Sequence, residues 1–335
     1  MLSKFTAKTI QQYRKLATSL LFGSAAMLIV PHAATANDYP TQPVKIIVGY
    51  PAGGSGDIAG RIMADALSNE LGTTVIVENV SGAGGSIGAQ RVVSSEPDGH
   101  TLLVGANNEI AINNLTNPNL NYNGLEDLAH IGLVTSQPLV LVANPATNIK
   151  NLDDFVSKLQ AEPERYSYGT SGVGTVFHLV GEHIQQSGGV SMLHVPYRGA
   201  APLMADLMGG QIDLGIVVLS SALPAIKDGR LIAIGTTEKE RADSTPDIPA
   251  LAENPQFKDV DIGNWYVMAA PKDTPSNVIE RLRAALQASL ASEKVQERIR
   301  NTGSKPATGL EDIRAFLDSE AETYKEIVKM ANIQL

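Results

Sequence analysis

Residues 44–60 run VKIIVGYPAGGSGDIAG. Val44–Val48 is a short, mostly β-branched run of strand length. The loop Pro51-Ala52-Gly53-Gly54-Ser55-Gly56-Asp57 ends it, and Ile58, Ile62 and Ala66 then fall on one stripe, which predicts a helix over 57–71. The same alternation repeats. Thr74–Glu78 predicts a second strand, Ser81–Gly88 a second glycine-rich loop, 86–95 a helix and Thr101–Gly105 a third strand. A βαβαβ run implies a parallel sheet with right-handed crossovers.

A second α/β set follows. Strands are expected at Leu139–Ala143, Tyr166–Gly169, Met192–Val195, Leu214–Val218 and Leu231–Gly235. Helices are expected after Asn151, a cap with Asp154 in the first turn, and over Gly174–Ser187 and Ala200–Met208. A strand over Gly263–Ala270 comes next. Thr274-Pro275 opens a helix with Thr as N-cap, and 310–330 reads as a last long helix. The last helices have no strands of their own to cover, so they are expected to pack back on the first set. The expected architecture is α/β with two lobes, each a sheet flanked by helices, and a ligand cleft between them. Its parts are 37–140 (first lobe), 141–263 (second lobe) and 264–335 (first lobe again), with crossings near 140–144 and 262–268. Two crossings suit hinge closure on a small ligand.

Upstream, Lys4, Lys8, Arg14 and Lys15 precede an apolar run over 16–30, and Ala34-Thr35-Ala36 supplies small residues at the cleavage spacing. This is the pattern of a secretory signal peptide over 1–36, cleaved after Ala36. The run is shorter than a membrane span. Its removal takes the net charge from −9 to −13, which argues against a nucleic-acid partner. The chain has no cysteine, so thiol nucleophiles, disulfides and cysteine-ligated metals are excluded. An exported, periplasmic protein has no nucleotide pool to draw on, and no cofactor is expected.

Two loops carry the chemistry. In Pro51–Asp57, backbone N–H groups at a helix N-terminus favour an anion, and the glycines admit it close to the backbone. The bland reading is a tight turn with Ser55 as N-cap. Thr170-Ser171-Gly172-Val173-Gly174-Thr175 offers hydroxyls and N–H groups in the other lobe; its bland reading is a turn capped by Thr175 or Ser171. Both follow strand carboxyl ends, where open α/β sheets bind ligands. Neither contains Lys or Arg. Gly54-Ser55-Gly56-Asp57-Ile58-Ala59 with Glu78 also fits a dinucleotide fingerprint, disfavoured by the export signal. His178, Glu182 and His183 lack zinc-helix spacing, and Gly-x-Ser-x-Gly does not occur. Trp265-Tyr266 is expected in the core, at the hinge or in the pocket wall.

The order of several further pieces matters. They are Tyr39-Pro40, Val77-Glu78-Asn79, Gly82-Ala83-Gly84-Gly85-Ser86-Ile87-Gly88, Pro97-Asp98-Gly99-His100, Val195-Pro196-Tyr197-Arg198-Gly199 and Gly209-Gly210-Gln211-Ile212-Asp213. With the two loops, they make the chain resemble the periplasmic substrate-binding proteins of tripartite tricarboxylate transporters, the Bug family, over nearly all of 37–335. The resemblance implies a type II periplasmic-binding-protein fold and a non-enzymatic, monomeric receptor for a small di-, tri- or aromatic carboxylate. Its partners would be a large and a small integral-membrane transporter subunit. Carried over, the ligand residues are Ala52, Gly53, Ser55 and Asp57, then Gly84 and Ser86. The second lobe adds Thr170, Ser171, Gly174, Thr175 and His178, with Tyr197 and Asp213 lining the site. Gly56 departs from the bulkier residue of many relatives, which implies a looser or larger pocket at that end. Rival readings are a receptor that presents its ligand to a sensor kinase and a nucleotide-dependent enzyme built on Gly54–Ala59.

Overall fold

The computed structural model describes residues 39–307, 312–331 and 333. The signal peptide and its cleavage site lie outside the described residues. The strands are β1 (Val44–Val48), β2 (Val75–Asn79), β3 (Thr101–Ala106), β4 (Leu128–Ala143), β5 (Ser167–Thr170), β6 (Leu193–Pro196), β7 (Leu214–Val218), β8 (Ile232–Thr236), β9 (Gly263–Pro271) and β10 (Lys305–Pro306). The helices are α1 (Ser55–Leu71), α2 (Ser86–Val93), α3 (Asn113–Thr116), α4 (Leu152–Ala161), α5 (Val176–Gly188), α6 (Ala200–Met208), α7 (Leu219–Lys227), α8 (Ser276–Ala291), α9 (Glu293–Asn301) and α10 (Ile313–Ala331).

All strands join one sheet of order β2-β1-β3-β9-β4-β7-β5-β6, with β8 and β10 also paired to β4. The long strand β4 ties it together. Its first part, Leu128–Pro138, pairs antiparallel with β9. Its last part, Leu139–Ala143, pairs antiparallel with β7 and β8. The change of partner falls at Pro138, opposite Gly263. Proline has no N–H to give a ladder, so the sheet divides there into two halves. The change comes slightly before the expected 140–144.

This pairing aims the strand ends. β3 and β4 both run antiparallel to β9, and β7 runs antiparallel to β4 with β5 parallel to it. Ala106 at the carboxyl end of β3 pairs with Tyr266, and Val218 at the carboxyl end of β7 pairs with Leu139. The carboxyl ends of both parallel sets therefore converge on the Pro138–Gly263 junction from opposite sides.

One face of the first half is covered by α1 and α8, through Ile62, Met63 and Leu67 against Leu282 and Leu286. α9 packs against the same pair. α10 does not simply return to the first half. It packs on α5 of the second half, on the turn after β3 and on β4, with Leu317, Tyr324 and Ile327 in a core that spans the junction. An apolar stripe covers whatever surface the fold leaves bare, and here that surface is the junction. Residues 310 and 311 lie outside the described residues.

Six segments were not expected. They are the first part of β4, the π-helical turn Asn108–Ile112 after β3, the short α3 that continues it, α7, which contains Pro224, α9 and the two-residue β10. At α8 the N-cap is Pro275, one residue later than expected, and Thr274 Oγ1 instead donates to Pro271 O at 2.7 Å.

Candidate ligand-binding site

The first loop leaves its donors open. Gly54 is the N-cap of α1 and gives no side-chain cap, so Ser55 is not the cap. The first ladder bond runs from Ile58 N–H to Gly54 O, which leaves the N–H groups of Ser55, Gly56 and Asp57 without helical acceptors. Ala52 and Gly53 are exposed at the loop tip, and Gly53 sits at φ 86°.

Asp57 holds this loop rather than offering its carboxylate to a ligand. It is buried, accepts Gly53 N–H at 2.9 Å, and pairs with Arg61 at 2.9 Å. Burial alone would raise its pKa, but the bonds from Arg61, Gly53 and Asn79 outweigh burial and hold the carboxyl below its usual range. An anion in the first turn of α1 would repel a carboxylate ligand; Arg61 cancels it.

Ser55 Oγ lies 2.8 Å from the Tyr266 hydroxyl. A Cβ on Gly56 would stand 3.1 Å from the Tyr266 ring. The looser pocket expected at Gly56 is thus corrected: the ring of Tyr266, brought in by β9, fills that side.

The second loop is wound by four consecutive positive-φ residues, Gly82, Ala83, Gly84 and Gly85. Ser86 Oγ donates to Ala83 O at 2.7 Å and is buried. Gly84 O accepts from Asn113 Nδ2 at 3.1 Å and from the Tyr50 hydroxyl at 3.4 Å.

In the second half, the loop after β5 builds the N-terminus of α5. Thr175 is the N-cap by backbone geometry, yet its hydroxyl donates back to Gly172 O at 2.7 Å and does not cap the helix. Thr170 Oγ1 meets His194 Nε2 at 2.6 Å. Ser171 is half-buried, with its hydroxyl in no hydrogen bond among the described residues. Gly174 N–H donates to His178 Nδ1 at 3.2 Å. That nitrogen is therefore an acceptor, and the ring is neutral. Burial pushes the pKa of His178 down, and that of its stacking partner His194 falls to about 4. The loop presents neutral donors and no cation.

Two expected lining residues stand differently. Tyr197 follows β6 at the cleft end, its N–H bonded to Thr170 O, but its hydroxyl donates to Asp206 at 2.8 Å. Asp213 is corrected outright. It precedes β7 at the amino end, away from the junction, and accepts from Ser167 N–H and Oγ, both at 2.9 Å. A depression of about 460 Å³ there, lined by Asp213, Arg165, Tyr166 and Asn148, belongs to the far end of the sheet.

Sequence reasoning missed the turn after β3. Asn107 donates to Gly263 O at 3.2 Å and accepts Trp265 N–H at 3.1 Å, which fixes β9 at the junction. Asn108 reaches α5 of the second half. Glu109 is fully buried against Gly49 and Gly85, where any side chain would collide with it. It accepts the Tyr50 hydroxyl at 3.0 Å and Ala106 N–H at 3.2 Å, while Oε1 has no partner. The signal was present: a polar Asn-Asn-Glu run at the carboxyl end of a buried strand, where α/β sheets bind ligands.

Residues 59–333 match the model of the tripartite tricarboxylate transporter family receptor, TctC. The chain belongs to this receptor family. It is 36% identical over 306 residues to an Agrobacterium vitis protein from the TAR-I ttuE-ttuC′ intergenic region, covering 91% of this chain and 87% of that one. It is 31% identical to BugT of Bordetella pertussis, over 96% of this chain and 98% of BugT. Among solved structures, the periplasmic binding protein BugD aligns with TM-score 0.79 and 32% identity, over 88% of this chain and 99% of BugD. An R. palustris protein solved with adipate aligns with TM-score 0.82 and 27% identity, over 89% and 99% of the two chains. MatC of Rhodopseudomonas palustris, with bound malate, aligns with TM-score 0.77 and 26% identity, over 87% and 100%.

The fold is thus the two-lobed α/β fold of TctC and Bug receptors. The dinucleotide fingerprint fails locally as well. Glu78, which would hold a ribose, is paired with Lys45 at 2.9 Å and with Arg91, and Tyr266 covers Gly56. Among the described residues no helix is long and apolar enough to cross a membrane.

Proposed function

We propose that this chain is an exported receptor that captures a small organic carboxylate between its two lobes and delivers it to a membrane transporter with a large and a small subunit. The observation that carries the reading is the pair of helix N-termini, of α1 and α5, at one junction with no side-chain hydroxyl capping either; of their first-turn N–H groups only Val176 N–H meets a side chain among the described residues, that of Asn108. Uncapped N–H groups and the helix dipole favour an anion. The relatives with adipate and malate supply the ligand class: a chain with carboxylate at one or both ends. The first lobe is residues 39–138 with 263–307, the second 139–262, and α10 lies across both. The export signal over 1–36 puts the receptor in the periplasm, and capture and release need no catalytic group.

A thermal-shift panel of organic acids and nucleotides tests this. Ligand at 100 times Kd adds about 2.7 kcal/mol to the native state, a rise of several degrees in a chain of this size. At least one di-, tri- or aromatic carboxylate is expected to produce it. A shift with NAD and none with any organic acid contradicts the reading.

A further inference from the structure

The turn after β3 reaches both lobes through one side chain. Asn108 is buried, only 3% exposed, and its carboxamide bonds in two directions. Nδ2 donates to Gly174 O at 3.3 Å and to Asn113 Oδ1 at 3.4 Å, and Oδ1 accepts Val176 N–H at 3.3 Å. Asn113 then donates to Gly84 O at 3.1 Å. Two carboxamides thus form a continuous bridge from the Gly82–Gly85 loop to the first turn of α5. A carbonyl needs the amide's NH2 and an N–H needs its oxygen, so the partners fix its orientation. A carboxylate lacks the donor, and an alanine lacks both.

The local backbone explains how the side chain gets there. A π-turn carries an extra residue in its ring and interrupts regular helical spacing, a feature frequent at functional sites. Here it puts consecutive side chains in three directions: Asn107 to β9, Asn108 to α5, Glu109 down beneath the glycine loop. Val176 N–H is one of the α5 donors that the helix itself cannot satisfy. Asn108 meets it from the first lobe.

We infer that Asn108 is a positioning residue that sets how far apart the two lobes stand, and so the fraction of receptor competent to bind. The inference rests on the receptor reading above. When only a fraction f of a receptor is binding-competent, its apparent Kd is the intrinsic Kd divided by f. Removing the bridge lowers f while leaving Ser55, Ser171 and the α1 donors untouched. A purely structural residue would change stability but not the ligand-free separation of the lobes.

The chain has no cysteine, so Glu70→Cys on α1 and Asp153→Cys on α4, both exposed, take one spin label each. Their distance distribution is measured in ligand-free protein with and without Asn108→Ala. The variant is expected to shift and broaden the distribution. Saturating adipate or malate, whichever raises the parent's melting point, is expected to restore it. Its apparent Kd is expected to rise about 5- to 50-fold, the loss of two or three neutral hydrogen bonds. Ligand-free distributions that coincide overturn the inference whatever the affinity does. Asn108→Ser, too short to reach Val176, replaces Ala if that variant does not fold. If no organic acid binds the parent, the receptor reading fails, while the ligand-free distances still judge Asn108.

Discussion

Arg61 and Glu109 show how single side chains set the electrostatics around two loops, Pro51–Asp57 and Thr170–Thr175, that carry no Lys or Arg of their own. Arg61→Ala leaves Asp57 as an uncompensated anion in the first turn of α1. Carboxylate affinity is then expected to fall about 5- to 10-fold, given about 1 kcal/mol for a charge at a helix terminus. Asp57→Asn in the same chain removes that anion and is expected to recover most of the loss. Calorimetric titration of the two variants checks this; equal affinity in parent and Arg61→Ala would place the carboxylate away from α1. Glu109 gives a pH signature. Burial lifts its pKa from 4.5 to about 8. The folded state therefore holds the proton that the unfolded state loses, and this contribution to stability falls as pH rises from about 4.5 to about 8. Glu109→Gln is expected to be flatter over that window and to gain on the parent toward pH 8. The difference between the two denaturation curves is the measurement, because buried, neutral His130, His178 and His194 act oppositely, costing stability as pH falls. A constant difference across the window would show that Glu109 is ionised throughout.

At the scale of elements, the junction is held by α10. Trp265 Nε1 donates to Glu320 Oε2 at 2.6 Å, and the Tyr324 hydroxyl donates to the same carboxylate. Glu320→Ala strips both donors of an acceptor, and about 1–3 kcal/mol of stability is expected to go with it. Thermal unfolding followed by the fluorescence of the single tryptophan reads the loss; an unchanged midpoint would mean that water replaces the carboxylate. The elements legible in the sequence were those that carry their own punctuation. β1 and β2 are apolar runs ended by glycine-rich loops, and Asn151 marks α4 by its side-chain bond to Asp154 N–H. The first part of β4 mixes His130, Gly132 and Ser136 with its apolar residues and owes its strand state to β9. The turn at 108–112 has no sequence period of its own. Two loops, Pro51–Asp57 and Thr170–Thr175, read as donors from their residues because that chemistry is backbone and hydroxyl chemistry; Gly84 and Ser86 entered only through the family resemblance. The contacts of Asn108 and Tyr266 were not legible, because their partners stand 66 and 211 residues away along the chain. Asp213 was misplaced because its motif says nothing about which end of β7 it occupies.

For the whole molecule, the proposed capture of a carboxylate has to be reconciled with a net charge of −9, or −13 if residues 1–36 are removed. That field would repel a carboxylate, so on the proposed reading affinity comes from short-range N–H and O–H donors at the N-termini of α1 and α5. Hydrogen bonds at contact distance are little affected by salt, whereas pairing with a surface cation is screened. The most direct measurement is a calorimetric titration of the mature protein with the best carboxylate of the panel, at low and at high salt. One carboxylate per chain is expected, with Kd unchanged within about threefold or slightly tighter at high salt, as the repulsive field is screened. A steep loss of affinity with salt would contradict the account and put the carboxylate on a cation such as Arg198.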